Sequence, residues 1–159
     1  LAITEEDLPA IKLEYERLML NVYKRKKEGR PYNFFHFMID LSGGPCLRKR
    51  LSGCGAGREY MAVTPEGDLY PCHQFVGREQ YRIGNLDDES LDESVRDRFL
   101  DNHVGKKEAC RTCWAQYLCA GGCAANAEAY SGSILQPNPQ ECRLLKKRTE
   151  CALALMTLA

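Results

Sequence analysis

The spacing of apolar positions predicts a helix at each end of the chain. Over residues 4–29 the apolar side chains recur at steps of three and four, which is typical of an amphipathic helix that packs on a core. Thr4 and Asp7 resemble a capping box at its start, and Gly29 predicts its end. A last helix is predicted from Gln140 to about Leu158. Its charged run is assigned to a solvated face and consists of Arg143, Lys146, Lys147 and Arg148.

Alternating apolar positions between these helices predict a strand over residues 32–40. Phe35, Phe37 and Ile39 would then share one face of that strand. His36 lies among these aromatic residues. We therefore expect it to be a hydrogen-bonded core residue and leave it out of the candidate site.

A hairpin is predicted in the middle of the chain. Its strands are residues 59–64 and 68–72, joined by Pro65-Glu66-Gly67, which suits a type I turn closed by a glycine with positive φ. Because the turn folds the chain back, we expect Cys72 to approach the segment that contains Cys54. The glycines around Cys54 allow unusual dihedral angles and close approach of a bulky group.

The remaining pattern is mostly helical. Residues 88–103 predict a charged surface helix with Leu91, Val95 and Leu100 facing inward, and residues 124–130 predict a short helix. The intervening run 110–123 is so rich in cysteine that we expect no regular element there.

Composition and charge exclude several classes of protein. The 159 residues contain 22 Lys and Arg against 22 Asp and Glu, so no bulk positive charge attracts nucleic acid or an anionic membrane. Hydrophobic residues make up 44%, which is enough for a folded core. No apolar run has the length of a membrane span, and the first residues do not resemble an export signal. We expect a cytoplasmic protein.

The chemistry is expected at sulfur, because the chain carries nine cysteines. The run Cys110-x2-Cys113-x5-Cys119-x3-Cys123 is followed by Cys142, and a pair separated by two residues can turn both sulfurs toward one metal centre. Five cysteines exceed one four-ligand site. Two metal sites are therefore indicated.

The ligands divide naturally if the two sites interleave, as in ferredoxins. Cys110, Cys113 and Cys119 would then take Cys142 as their fourth ligand. Cys123 would join Cys54 and Cys72, with Cys46 as the candidate that completes the set. Gly121 and Gly122 permit the sharp backbone that such a run requires and expose amides toward cluster sulfides.

Other interpretations of the cysteines remain open. Zinc sites use similar local spacing and serve structural roles, so a zinc-binding interaction module is the main alternative. Disulfides are disfavoured, because the cysteine number is odd and no secretion signal is visible. Cys151, on the last predicted helix, is expected to be a buried core thiol.

The full pattern resembles the seven-cysteine signature of the SPASM domain, a C-terminal extension of many radical SAM peptide and protein maturases. The matching elements are Cys54-x12-Gly67-x4-Cys72, the run from Cys110 to Cys123, and Cys142. The resemblance implies two auxiliary [4Fe-4S] clusters. It assigns Cys54, Cys72 and Cys123, with Cys46 as the possible fourth ligand, to the first cluster. It assigns Cys110, Cys113, Cys119 and Cys142 to the second.

The phrases around the cysteines are similar to those of SCIFF peptide maturases. These phrases are Gly44-Pro45-Cys46, Gly53-Cys54-Gly55-Ala56-Gly57, residues 62–68 and Pro71-Cys72-His73-Gln74-Phe75-Val76-Gly77. This resemblance implies formation of thioether links between peptide cysteines and a backbone α-carbon. A sulfatase-type maturase, which oxidises a protein cysteine or serine, is the alternative within the same group of enzymes.

The sequence departs from a complete radical SAM enzyme in one respect. The Cys-x3-Cys-x2-Cys motif of the SAM cluster is missing, because Asn126 stands where Cys119-x3-Cys123 would need its third cysteine. We therefore expect a fragment that is inactive alone. Residues 1–45 would be the end of the radical SAM barrel with a linker, and residues 46–159 the SPASM domain.

The expected fold class follows from this division. It is α+β: a small, irregular cluster-binding domain with a short β-hairpin and peripheral helices, preceded by the last helix and strand of a partial TIM-type barrel. SAM and a third [4Fe-4S] cluster are expected in the missing barrel. The implied partners are a ribosomally synthesised, cysteine-rich precursor peptide and an electron donor such as ferredoxin or flavodoxin, in a bacterium with little oxygen.

Overall fold

A computed structural model of the chain describes residues 3–41, 46–88 and 91–158. The chain divides into two compact units, Leu1–Pro45 with Asn138–Ala159, and Cys46–Pro137. We refer to them as the helical unit and the cysteine-rich unit. In the part of the chain described, no helix combines the length and apolarity needed to cross a membrane.

The helical unit contains the two long helices that the sequence predicts. Helix α1 spans Leu8–Lys27 and helix α7 spans Pro139–Leu158, and the two pack against each other. Thr4 and Asp7 do pair, through the backbone N and Oγ1 of Thr4 at 2.8 Å each from Asp7 Oδ2, but they close a turn before α1. Four basic residues in the last turn of α1 stabilise its C-terminal end through the helix dipole, and Gly29 follows with φ +72°.

The prediction of a strand over residues 32–40 is wrong. The segment forms a 3₁₀ turn over Phe35–Phe37, in which Phe37 N donates to Phe34 O at 2.9 Å. In a 3₁₀ turn residues i and i+3 share a face, and the rings of Phe34 and Phe37 accordingly pack edge to face at 4.9 Å, whereas Phe35 is 82% exposed. The turn packs on α7, and the strands of the described residues all belong to the cysteine-rich unit.

His36 is a hydrogen-bonded residue of this unit, as predicted. Arg148 contacts its Nε2 at 3.2 Å and the Tyr15 hydroxyl contacts its Nδ1 at 2.9 Å. Because arginine only donates, Nε2 accepts and the neutral ring donates from Nδ1 to Tyr15. Burial first, and Arg148 second, hold the pKa of His36 below its ordinary value.

The basic run of α7 is less solvated than predicted. The Lys147 Nζ lies 2.6 Å from Glu16 of α1, and its side chain is only 19% exposed. The Glu16 carboxylate raises the pKa of Lys147. Arg143 pairs with Glu5, so charged residues of α7 join the helix to the N-terminal segment.

The cysteine-rich unit is built around a small antiparallel sheet. The strand order is β1-β2-β3, with Ala62 opposite Tyr70 and Leu69 opposite Gly84. Thr64 O accepts from Gly67 N at 3.0 Å, and Gly67 has φ +86°, which confirms the predicted turn. The third strand was not predicted. The strands are β1 Ala62–Val63, β2 Asp68–Tyr70 and β3 Gly84–Asn85.

The described part of this unit also contains five short α-helices. Their bounds are α2 Leu47–Ser52, α3 Glu93–Leu100, α4 Glu108–Arg111, α5 Gln116–Cys119 and α6 Ala124–Ser131. Helix α3 begins later than predicted, because Asp92 Oδ1 accepts from the backbone N atoms of Ser94 and Val95 and caps it. Val95 faces the core as expected, but its second inward residue is Phe99, whereas Leu91 and Leu100 are exposed.

The core of this unit is aromatic. The ring of Phe75 lies 4.4 Å from that of Tyr81 and 5.3 Å from that of Phe99. Phe75, Ile83 and Phe99 are fully buried and belong to one hydrophobic cluster. The mixture of helices with a small antiparallel sheet agrees with the predicted α+β class. The partial barrel before it remains a prediction.

Candidate metal centre

The three cysteines predicted to share the first cluster come from three neighbouring segments. Cys54 follows α2, Cys72 follows β2 and Cys123 precedes α6. Gly57 N donates to Pro71 O at 2.9 Å, so the loop of Cys54 lies against the residue before Cys72.

The same loop also lies beside the turn that precedes Cys123. A Cβ placed on Gly53 would lie 3.4 Å from Ala120 O, and α2 packs on α5. The hydrogen bond from Gly57 N to Pro71 O confirms the approach of Cys72 to the segment of Cys54 that the hairpin predicted.

Tyr60 lies close enough to these three cysteines for their charge to act on its hydroxyl, and sequence reasoning missed it. Burial first, then the negative charge of Cys72 and Cys54, raise the pKa of Tyr60 to about 12, with Cys123 contributing in the same direction. Hydrogen bonding to Cys72 contributes to the same rise in the pKa of Tyr60. A phenol near three thiols is therefore kept protonated and available as a donor to thiolate sulfur. A tyrosine between two cysteines carries no sequence signal that distinguishes this position from an ordinary strand residue.

The glycines around Cys54 adopt unusual dihedral angles, as predicted. Gly53, Gly55 and Gly57 have φ of +66°, +75° and +71°. The bulky groups that approach them are side chains of the protein: a Cβ on Gly55 would lie 2.8 Å from Glu59, and one on Gly57 would lie 2.9 Å from Phe99. These glycines therefore fix the loop on the core of the unit.

The second predicted ligand set is only partly contained in this unit. Cys110 lies in α4, Cys113 N donates to Cys110 O at 3.0 Å, and Cys119 ends α5. The run is thus two short helical turns, whereas we predicted no regular element. Cys142 lies on α7 of the helical unit, and its sharing of a cluster with the other three remains a prediction.

The turn between Cys119 and Cys123 has three consecutive left-handed residues. Ala120, Gly121 and Gly122 have φ of +58°, +88° and +73°. The sharp backbone expected at the two glycines is confirmed, and Ala120 extends it. The carbonyl oxygen of Gly121 accepts from the Lys107 Nζ at 2.7 Å. Lys107 is a second residue near the cysteine run that sequence reasoning missed.

The other two cysteines differ strongly in burial. Cys46 is exposed and precedes α2. Cys151 is 3% exposed in the core of the helical unit, and burial raises the pKa of its thiol. The prediction of a core thiol at position 151 is confirmed.

The donor set fits an iron–sulfur cluster by its chemistry. None of the nine cysteines, all of which lie within the described residues, is in a disulfide, and three of them act on the pKa of Tyr60. Within residues 3–41, 46–88 and 91–158, no group of three or more His, Cys, Asp and Glu side chains is arranged to hold a metal ion. The assignment of individual ligands therefore stays a prediction.

Comparison with known families supports an iron–sulfur domain. Residues 54–114 match the family model of SPASM, described as an iron-sulfur cluster-binding domain. The match includes Cys54, Cys72, Cys110 and Cys113.

Curated relatives extend the comparison to maturating enzymes. The chain is 37% identical over 104 residues to an uncharacterized protein of Archaeoglobus fulgidus, covering 64% of this chain and 24% of the relative. It is 32% identical over 98 residues to a serine-type anaerobic sulfatase-maturating enzyme of Klebsiella aerogenes, covering 59% and 22%. It is 32% identical over 114 residues to a mycofactocin maturase of Mycobacterium ulcerans, covering 69% and 30%.

The chain therefore spans between 22% and 30% of the length of these relatives. Together the matches show that the chain is similar to an iron–sulfur cluster-binding domain and to part of several maturating enzymes.

Proposed function

We propose that this chain holds two auxiliary [4Fe-4S] clusters within a radical SAM enzyme that matures a ribosomal peptide. The observation that supports the proposal is that the segment of Cys54 lies against those of Cys72 and Cys123, because these are the cysteines assigned to one cluster. Gly57 N donates to Pro71 O at 2.9 Å, and a Cβ on Gly53 would lie 3.4 Å from Ala120 O. Cys46 is proposed as their fourth ligand. Cys110, Cys113, Cys119 and Cys142 are proposed for the second cluster.

The residues of the chain would act as ligands and as hydrogen-bond donors. Thiolates from the loops would hold each cluster, and Tyr60 would donate its O–H to the Cys72 sulfur, lowering the negative charge density on that ligand. When bound, such clusters supply one-electron transfer at potentials set by ligands, hydrogen bonds and burial. An exposed Cys46 suits either a fourth ligand or a position that a substrate thiolate would take.

Formation of a thioether between a peptide cysteine and an α-carbon is the reaction we favour. A hydrogen atom leaves the α-carbon, the thiol loses its proton, and the new carbon–sulfur bond releases one electron that needs an acceptor. SAM, cleaved with one electron to give the radical that abstracts the hydrogen, would be bound elsewhere in the intact enzyme. The loop phrases shared with SCIFF maturases support this choice of substrate. A cysteine-rich precursor peptide and a ferredoxin or flavodoxin are the proposed partners, in the cytoplasm.

Oxidation of a protein side chain is the second candidate reaction. It is favoured by the similarity to a serine-type anaerobic sulfatase-maturating enzyme, which has a share of identical residues comparable to that of the mycofactocin maturase. A structural zinc module is a third possibility, since thiolate sites for zinc have similar spacing. It predicts zinc in place of iron and no redox activity.

Cysteine substitutions test the proposed ligand sets. In the intact protein, Cys54→Ala, Cys72→Ala or Cys123→Ala is expected to remove the same cluster, about four irons, because each breaks one ligand set. Cys113→Ala or Cys142→Ala is expected to remove the other. Cys151→Ala serves as the control and should keep all iron, because this thiol lies in the core of the helical unit. Equal loss from both clusters in every variant would contradict the division.

Mass spectrometry of a matured peptide separates the two reactions. Both remove two hydrogens from the peptide, but a thioether consumes one alkylatable thiol, whereas oxidation of serine creates a carbonyl that reacts with a hydrazide. We expect the intact enzyme to consume thiols of a cysteine-rich peptide. Hydrazide-reactive product with an unchanged thiol count would favour side-chain oxidation.

Cys46→Ala tests the proposed fourth ligand of the first cluster. Unchanged crosslinking of the peptide, together with an unchanged absorbance spectrum of the cluster, would exclude Cys46 as a ligand.

A further inference from the structure

The first strand of the small sheet has one edge without a neighbouring strand. Thr64 N donates to Asp68 O at 3.0 Å, and the next pair along the ladder is Val63 opposite Leu69. Bonded and non-bonded pairs alternate in an antiparallel ladder, so Val63 belongs to a non-bonded pair. The N–H and C=O groups of Val63 therefore point away from β2, toward the outer edge of β1.

The same alternation continues back to Tyr60. Gly57 N donates to Tyr60 O at 3.0 Å and to Pro71 O at 2.9 Å, so the Tyr60 carbonyl faces the continuation of β2. Met61 follows Tyr60, and its backbone groups accordingly face the same edge as those of Val63. Within residues 3–41, 46–88 and 91–158, the backbone groups of Met61 and Val63 have no hydrogen-bond partner at this edge.

The opposite edge of the sheet is covered by the chain itself. Gly84 of β3 forms a bridge with Leu91, and Asp92 N donates to Ile83 O at 2.5 Å. Exposed edges are commonly protected by charged side chains, but residues 60–64 carry no charge. The β1 edge is therefore the one of the two that can accept a further strand.

The side chains beside this edge are apolar and accessible. Met61 is 44% exposed and Val63 is 53% exposed, whereas Ala62 between them packs on the core of the unit. A strand added to β1 would thus find backbone donors and acceptors together with two apolar side chains on one face.

A second copy of the chain does not suit this edge. Stable interfaces between proteins bury about 1,200–2,000 Å² in total, and pairing of two edges of a few residues covers only a small part of that area. A peptide adds to an edge through main-chain hydrogen bonds that depend little on its sequence, and a short contact allows its release. The uncharged edge suits an uncharged, extended segment.

We propose that the edge of β1 formed by Met61 and Val63 binds an extended segment of the peptide that the enzyme matures. This inference rests on the proposed function, which supplies the peptide. The bound segment would form main-chain hydrogen bonds with both residues. It would run beside the loop of Cys54, because Gly57 of that loop is bonded to Tyr60 at the start of the edge.

The test measures binding of a short synthetic peptide to the intact, anaerobically purified protein. In this peptide, threonine and valine alternate around one cysteine, and fluorescein at its N-terminus reports binding by fluorescence anisotropy. Val63→Pro removes the outward N–H and places a ring in the path of the added strand. Proline is tolerated at an edge where the N–H is not used by the sheet. Val63→Thr is the matched control, because it keeps the N–H and favours a strand.

Val63→Pro is expected to weaken binding of this peptide about tenfold or more, because a main-chain hydrogen bond is lost and the ring blocks the edge. Val63→Thr should change the Kd less than about threefold. Equal affinity of Val63→Pro and wild type, at an equal free energy of unfolding, would overturn the inference.

Two measurements on the wild type keep the test decisive if Val63→Pro does not fold. The same peptide methylated at every backbone nitrogen cannot donate to the edge, so it should not bind. Hydrogen exchange at the amides of Met61 and Val63 should slow when the unmodified peptide is bound. Undiminished binding of the methylated peptide, or unchanged exchange at both amides in the saturated complex, would overturn the inference.

Failure of this inference is distinguishable from failure of the proposed function. A wild-type protein that contains its iron but does not bind the peptide would overturn the inference alone. A wild-type protein without iron would contradict the proposed function itself.

Discussion

The pKa values of two tyrosines in the cysteine-rich unit are raised first by burial and then by neighbouring acidic groups. Tyr60 is 40% exposed, yet burial of its hydroxyl and nearby thiols raise its pKa to about 12. Tyr81 is 3% exposed and reaches about 12 through burial and through a hydrogen bond to the Glu128 carboxylate. The cysteine spacing alone identified the candidate ligands. It did not identify Tyr60 or Lys107, because neither the hydrogen bond to Cys72 nor the one to Gly121 has a local sequence signature.

Alkaline titration tests the two tyrosines. Tyr60→Phe and Tyr81→Phe should each remove one phenol from the component that ionises at about pH 12, as followed by the ultraviolet difference spectrum of phenolate. Because the unfolded chain releases these protons at about pH 10, the free energy of unfolding should fall between pH 10 and 12. Each variant should show a smaller fall. An unchanged amplitude at about pH 12 in Tyr60→Phe would contradict the placement of its hydroxyl beside the thiols.

Glycine 57 gives a test of the loop that carries Cys54. Gly57→Ala should lower the free energy of unfolding by about 2–4 kcal/mol. The alanine is held in a left-handed conformation, and its Cβ lies 2.9 Å from Phe99. Gly77→Ala is the matched control. Gly77 also has positive φ, +80°, but has no atom within 4 Å of the added Cβ, so a loss of about 1 kcal/mol is expected. Equal losses in urea unfolding would show that the contact with Phe99 is unimportant.

Individual elements were predictable where one local pattern dominates. The two long helices have regular apolar spacing, and the hairpin has a turn sequence with glycine at the position that needs positive φ. The segment around Phe35–Phe37 was mispredicted because alternation does not reveal whether a neighbouring strand exists. The contacts of Lys147 and Arg148 were missed for a related reason, since they depend on which helix face meets α1 and the 3₁₀ turn.

His36 should make the free energy of unfolding depend on pH. Its pKa is held low by burial and by Arg148, whereas in the unfolded chain a histidine binds a proton at about pH 6.5. The free energy of unfolding should therefore fall as pH decreases from 7 through 6.5, because the unfolded chain then binds more protons than the folded one.

Substitutions of His36 and Arg148 check this dependence. His36→Asn should flatten the decrease, and Arg148→Met should reduce it by removing one of its two causes. The measurement is urea unfolding at a series of pH values, together with the nuclear magnetic resonance titration of the imidazole. An imidazole that titrates at or above pH 6.5 in the wild type would contradict the proposed burial beside Arg148.

At the scale of the whole molecule, the expected domain boundary at residues 45–46, with everything after it in one domain, stays a prediction. The compact units of the structure group α7 with the first 45 residues. The sequence could not show this, because α7 and its partner α1 lie at opposite ends of the chain and only tertiary packing joins them. The ligand Cys142 proposed for the second cluster lies on that helix, and the roles of the two units as barrel end and cluster domain remain predictions.

Metal and sulfide analysis of the anaerobically purified protein tests the central claim most directly. The account predicts a brown protein that contains about eight iron and eight sulfide per chain from the two sets of cysteines, in addition to any cluster bound elsewhere in the intact enzyme. Substitution of both Cys54 and Cys113 by Ala should remove these eight. A colourless protein that contains zinc, with no iron or sulfide lost on those substitutions, would contradict the account and leave a structural zinc module.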